Sequence, residues 1–137
     1  MTPEQRVAWD LLISQPVAIL GTLNADGSSH LVPFTFASLE PGQLVSAVDQ
    51  KPKSSRQLRR LGNVGRDPRV TILAHHYEDD WRRLWWVRAA GSASITEIEP
   101  RGAGDALRDR YPQYAGQSLG PWLLMKVDSI ASWTAWT

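Results

Sequence analysis

The chain has 137 residues, 42% hydrophobic and 21% charged, enough for one globular domain with its own core. Its 15 Lys and Arg stand against 14 Asp and Glu, so a net charge of +1 gives no overall attraction to nucleic acid or to a membrane surface. The absence of cysteine excludes disulfides, a thiolate nucleophile and Cys-based metal sites, and no apolar run approaches the ~20 residues of a membrane span.

Thr2, Pro3 and Gln5 predict a helix start, with a hydroxyl cap, a proline at the first helical position and a capping-box partner. Val7, Leu11 and Leu12 give it an apolar stripe up to about Ser14, and Pro16 stops it. This polar start lacks the pattern of a secretory signal, and the expectation is a cytoplasmic protein. VAILGTLN then predicts a strand, and ADG a hairpin turn. SSHLVPFTFASL is expected as one second strand, with Pro33 at an edge or a bulge because proline cannot donate to the ladder. EPGQ turns the chain into a third strand, LVSAVD.

The next stretch is the most charged. Lys51, Lys53, Arg56, Arg59, Arg60, Arg66 and Arg69 accompany a single acid, Asp67. A helix is expected from Ser54 as cap, with Leu58, Leu61 and Val64 on a thin apolar face and Asp67–Pro68 at its end. RVTILAHHY reads as a fourth strand and RRLWWVRAAGSASITEI as a long fifth with a bend at Gly91. A short helix over Asp105–Tyr111 is closed by Pro112, and WLLMKVDSIASWTAW ends the chain as a strand. With no repeat or linker, residues 1–137 make a single domain. Six strands and short turns predict mainly β structure, a small antiparallel barrel with a few helices at its ends and seams.

Chemistry is sparse. The arginines after Ser54 share one helix face, and the ordinary reading is a solvated surface. KPKS is different, because Pro52 fixes the backbone between Lys51 and Lys53 just before a helix N-terminus, a natural site for a phosphate. No nucleic-acid-binding signature accompanies the cations. Adjacent His75 and His76 point to opposite faces of a strand and cannot chelate one ion together, so no metal is expected. No nucleophile motif occurs. Seven Trp are more than one small core accommodates, and because Trp85 and Trp86 must face opposite ways, a dimer interface is expected to take some of them.

Four separated blocks, DGSSHLVPFTF, AVDQKPKSSRQLRRLGN, HYEDDWRRLWWVRAAG and RYPQYAG, resemble the pyridoxamine 5′-phosphate oxidase-like split β-barrel family, in its branch of oxidoreductases that use the deazaflavin coenzyme F420. The resemblance runs from about residue 17 to the C-terminus. It implies a six-stranded antiparallel split barrel of the FMN-binding type, a homodimer with cofactor between the barrels, and hydride transfer to a small conjugated organic substrate. It further implies that Leu31, Val32 and Pro33 lie along the ring or its linker, and that Ser46 and Ala47 continue that wall. Lys51, Lys53 and Ser54 would hold the phosphate, and Trp86 would reach the ring from the other subunit. Flavin-using relatives clamp the FMN phosphate with Arg and Lys on the second strand and an Arg–Lys pair before the helix. Here the strand positions read His30 and Thr35 and the pair reads Pro52–Lys53, which favours the deazaflavin and leaves FMN, or a non-catalytic flavin- or haem-binding role, as alternatives. His30 is a proton donor only if it faces the ring.

Overall fold

The computed structural model describes residues 1–48 and 55–136, and for 55–58 the backbone alone. The elements run α1 (Pro3–Ser14), β1 (Ala18–Leu23), β2 (Ser29–Phe34), β3 (Ala37–Glu40), β4 (Gln43–Ala47), α2 (Ser55–Arg66), β5 (Arg69–His76), β6 (Trp85–Thr96), α3 (Ala103–Arg110) and β7 (Trp122–Thr134), with single 3₁₀ turns at Trp81–Arg83 and Pro112–Tyr114. The Thr2 hydroxyl accepts from the Gln5 N–H and the Gln5 side chain answers the Thr2 N–H, which completes the expected capping box.

The strands form one antiparallel sheet in the order β2-β1-β5-β6-β7-β4-β3. Seven strands stand where six were expected, because the run Ser29–Leu39 breaks at Thr35 and Phe36. Pro33 lies on β2, an edge of the sheet, as a missing N–H requires. The break has a large consequence. Phe34 ends one edge strand and Ala37 begins the opposite one, yet three Cα steps span at most roughly 11 Å. Six strand spacings of about 4.8 Å would hold the edges roughly 29 Å apart in a flat sheet. The sheet therefore curls until its edges nearly meet, without a β2–β3 ladder to close it. Gly91 eases the curl in the middle. β6 and β7 shift register between Ala90 and Gly91, and a Cβ at Gly91 would lie 1.9 Å from the Lys126 carbonyl oxygen.

Inside the curl, strand alternation carries the core. β5 buries Val70, Ile72 and Ala74 and exposes Thr71, Leu73 and His75 between them. α1 brings Ala8, Trp9 and Leu12 onto the same interior, against β5, β6 and β7. A second cluster gathers Val45, Ala47, Leu107, Tyr111 and Trp122 beneath α3. The chain between Tyr77 and Trp85 departs from the expected strand, since Arg82 and Arg83 lie on a 3₁₀ turn capped by Asp80. No helix among the described residues is long and apolar enough to cross a membrane.

The Thr35–Phe36 corner is held from α3 and the turn after it. Tyr111 Oη accepts from the Phe36 N–H at 3.0 Å and shares its proton between the carbonyls of Pro16 and Phe36, each at 2.8 Å. Arg110 donates to the Phe36 carbonyl at 3.0 Å and to that of Gln15, with its guanidinium 4.6 Å from the Phe36 ring centre. Tyr114 and the Thr35 hydroxyl are 2.6 Å apart. Burial pushes the Tyr111 phenol above its ordinary value of 10.0, so its contribution to stability is whole below pH 10 and falls as pH rises beyond it. Replacing Tyr111 with Phe is expected to lower the unfolding free energy by about 1–3 kcal/mol, since it leaves the buried Phe36 N–H unpaired. It should also flatten the alkaline fall in stability. Urea denaturation from pH 8 to 11, with the wild type alongside, checks both; equal alkaline slopes would refute the account.

Candidate functional site

Period-two alternation places a second apolar surface on the outside of β2, β1, β5, β6 and β7. The ladder register lays it out in rows. One row runs Leu31, Gly21, Thr71, Ala90, Ser129, and the next Pro33, Ile19, Leu73, Arg88, Ala131. A third has His75, Trp86 and Trp133 side by side. Leu31 is 67% exposed, Trp133 43% and Leu73 37%, unusual values for large apolar side chains lying together. A Cβ on Gly21 would lie 3.2 Å from Leu31 Cδ2, so glycine here lets Leu31 lie across β1. Two shallow cavities open on the face. One, of about 220 Å³, includes Ile19, Pro33, Leu73 and His75, and the other, of about 350 Å³, is bounded by Leu73, His75, Tyr77 and Trp86. They share Leu73 and His75 and are parts of one groove.

The nine residues expected to meet a cofactor fall into three groups. Leu31, Pro33 and Trp86 lie on this outer face. Val32 points inward against the core, Ser46 is 4% exposed with its hydroxyl donated to the Thr35 carbonyl at 2.7 Å, and Ala47 is in the cluster under α3. Lys51, Lys53 and Ser54 lie outside the described residues. Trp85 and Trp86 divide as the alternation requires, with Trp85 5% exposed in the core and Trp86 on the outside. His30 faces inward opposite buried Thr22, and its buried Nδ1 has no partner among the described residues.

Farther along the charged stretch, Arg66 donates to the Leu23 carbonyl and to Asn63 Oδ1, and Asn63 reaches Thr22 and Asn24 across to the β1–β2 hairpin. Arg69 pairs with Asp67 at 2.7 Å, and its hydrogen bonds draw that carboxyl down to about 2. These two cations thus work on the protein's own groups. Ile19, Leu73, His75 and Arg88 share this face with Leu31, Pro33 and Trp86, which sequence reasoning did not anticipate. The signal was available in RVTILAHH, where a strand with an apolar inside also places leucine outside.

No family model matches the chain. No curated protein matches it either. Solved structures do. The conserved protein Rv2991 of Mycobacterium tuberculosis has a TM-score of 0.72 at 22% identity, over 98% of this chain and 86% of its own. A candidate pyridoxamine 5′-phosphate oxidase of Listeria innocua gives 0.64 at 16%, over 96% and 98%. The FAD-binding protein of Mycobacterium smegmatis gives 0.60 at 17%, over 93% and 92%. At such identities the likeness is one of fold. This chain has the pyridoxamine 5′-phosphate oxidase-like fold.

Within that fold the paired tryptophans give a direct test of inside and outside. Trp85→Ala is expected to cost about 3–5 kcal/mol, the usual penalty for emptying a core indole site. Trp86→Ala is expected to cost about 1 kcal/mol or less in the monomeric chain, as for surface changes, when measured at protein concentrations too low for self-association. Urea denaturation at matched protein concentration measures both, and equal losses would contradict the assignment of faces.

Proposed function

We propose that the chain is a homodimeric oxidoreductase that carries hydride between a deazaflavin of the coenzyme F420 type and a small conjugated organic substrate. The observation that carries this reading is the apolar groove on the outer face: Leu31, Pro33, Ile19, Leu73 and Trp86 suit a planar ring system, and β2 offers it no cation. The outward side chains of β2 are Ser29, Leu31 and Pro33, while His30 faces inward and Thr35 is bound to Tyr114. A cofactor whose phosphate is held elsewhere, at the KPKS segment, fits that distribution better than one clamped from β2. The FAD-binding neighbour in M. smegmatis supports a ring-binding use of the fold in general terms.

When bound, such a cofactor supplies hydride from C5 of its reduced ring, and the protein supplies binding and orientation. Leu31, Pro33 and Ile19 make a water-excluding floor. Trp86 adds a broad flat surface with one N–H donor, suited to stacking. Lys51, Lys53 and the hydroxyl of Ser54 hold the phosphate through charge-assisted contacts. A second copy of the chain covers the remainder of the face and gives Trp86 and Trp133 a dry environment.

Fluorescence titration with deazaflavin and with FMN tests the cofactor. Preferred binding of deazaflavin is expected, and tight FMN binding without deazaflavin binding would establish the flavin alternative instead. The double change Lys51→Ala, Lys53→Ala should weaken deazaflavin binding by at least about 1.5–3 kcal/mol; unchanged affinity would remove the phosphate site from KPKS. Sedimentation should show a dimer for the wild type and a monomer for Leu73→Arg, which sets a second cation directly across the ladder from Arg88 on the covered face. A monomeric wild type would sink the dimer.

A further inference from the structure

The outer face has a charge at its centre. Arg88 stands between Leu73 and Ala131 in register, exposed, with its guanidinium carbon 5.3 Å from the centre of the Trp86 ring. No residue in the three rows is a carboxylate. The acids at the margins are Glu78, engaged with His76 and Arg83, and Asp80, engaged with Arg82, together with Asp79 on the β5–β6 connection and Asp128 at the β7 bulge. None of them is paired with Arg88. Among the described residues its contact is the indole alone, while Arg69 and Arg82 each hold their own aspartate.

A guanidinium laid on an aromatic ring keeps its N–H donors available in the plane, in the fork that matches a carboxylate. Covering such a group with an apolar or neutral surface strands an unpaired charge, which is costly. A second copy brings a second Arg88 with the same rows, so the cations of both copies still call for carboxylates from the margins or for an anion from outside. An anion is needed. The adjoining cavity of about 350 Å³, bounded by Leu73, His75, Tyr77 and Trp86, is at the small end for ligand pockets, and three of those four side chains carry planar rings.

We propose that Arg88 is the anion-recognition residue of the outer face, and that the face takes a planar conjugated carboxylate, its unsaturated skeleton against Leu73 and Trp86 and its carboxylate on the guanidinium. The proposal rests on the reading that this face binds ligands and narrows the substrate class to acids. It also gives Trp86 two roles, as stacking surface for the skeleton and as support for the cation.

The test uses the 137-residue chain and two probes of one shape, trans-cinnamate and its neutral amide, titrated by calorimetry without cofactor. The wild type is expected to bind cinnamate at least about 10-fold more tightly than the amide, as one charge-assisted contact implies. Arg88→Gln should abolish that preference while leaving amide affinity within about twofold, and Arg88→Lys should retain part of it. Equal affinity of the wild type for both probes, binding of neither, or equal loss of both in Arg88→Gln would overturn the proposal. Thermal midpoints within a few degrees of wild type establish that the variants are folded. Deazaflavin titration separates this proposal from the one it rests on. Discrimination of cinnamate without deazaflavin binding leaves Arg88 in its role and removes the cofactor. Weaker deazaflavin binding by Arg88→Gln with cinnamate unaffected would give the charge to the cofactor and overturn the acid substrate.

Discussion

The corner at Thr35 and Phe36 determines the shape of the molecule. Two residues join strands that lie at opposite edges of a seven-stranded sheet, so any arrangement satisfying that connection must be curled. A corner of this kind takes backbone groups out of the ladder, and they must find partners elsewhere. Arg110 and Tyr111 supply them, meeting both the N–H and the C=O of Phe36 and also the carbonyls of Gln15 and Pro16, where α1 hands over to β1. One dipeptide at the end of α3 thus ties together the seam, the first helix and the first strand. Ser46 and Tyr114 complete the set on Thr35. Phe36, fully buried and stacked on Phe34 with ring centroids 5.1 Å apart, makes the corner a part of the core.

Curling divides the strands into an interior and an exterior, and β5 and β6 have apolar residues on both. Inside, Ile72, Val87 and Trp85 pack against α1. Outside, no helix among the described residues packs on Leu73, Trp86 and Trp133, since α1 is on the interior, α3 sits at β3, and α2 packs against β1 and β6 while reaching the end of the β1–β2 hairpin. A monomer that leaves several large apolar side chains together in water carries a surface of the kind used for binding. The excess of tryptophan therefore has a geometric cause. The indoles of Trp9, Trp85 and Trp122 serve the interior, and Trp81, Trp133 and Trp136 are among the exposed large hydrophobics.

Local features were legible where local physics decides them. The Thr2–Gln5 capping box, the Gly27 turn at φ 84° after Asp26, the alternation in RVTILAHH and the kink at Gly91 each depend on neighbours in sequence or on one residue type. The split of SSHLVPFTFASL did not announce itself, because no glycine marks it. The residues that impose it, Arg110, Tyr111 and Tyr114, lie about seventy-five positions downstream. RYPQYAG stood out as part of a family pattern, but its purpose as a clamp needs the three-dimensional contact. Leu31 and Pro33 share the outer face with Trp86, whereas Val32 could not once the strand alternated. Arg88 carries no local signal, because its neighbours Leu73 and Ala131 come from strands that only the fold sets beside it.

That last point bears on how charge should be read in a nearly neutral chain. Arg6, Arg69, Arg82 and Arg83 have acids of their own, while Arg66, Arg108 and Arg110 hold backbone carbonyls. Cations so engaged are part of the scaffold, however densely they cluster in sequence. A cation set among leucine, alanine and tryptophan, with an aromatic ring as its partner, is in a different situation. Its hydration would be displaced by whatever covers the face, and the loss is repaid where that cover brings an anion. Charge density along the chain therefore identifies solvated or structural arginines first. The cation most informative about ligands stands alone on an apolar sheet.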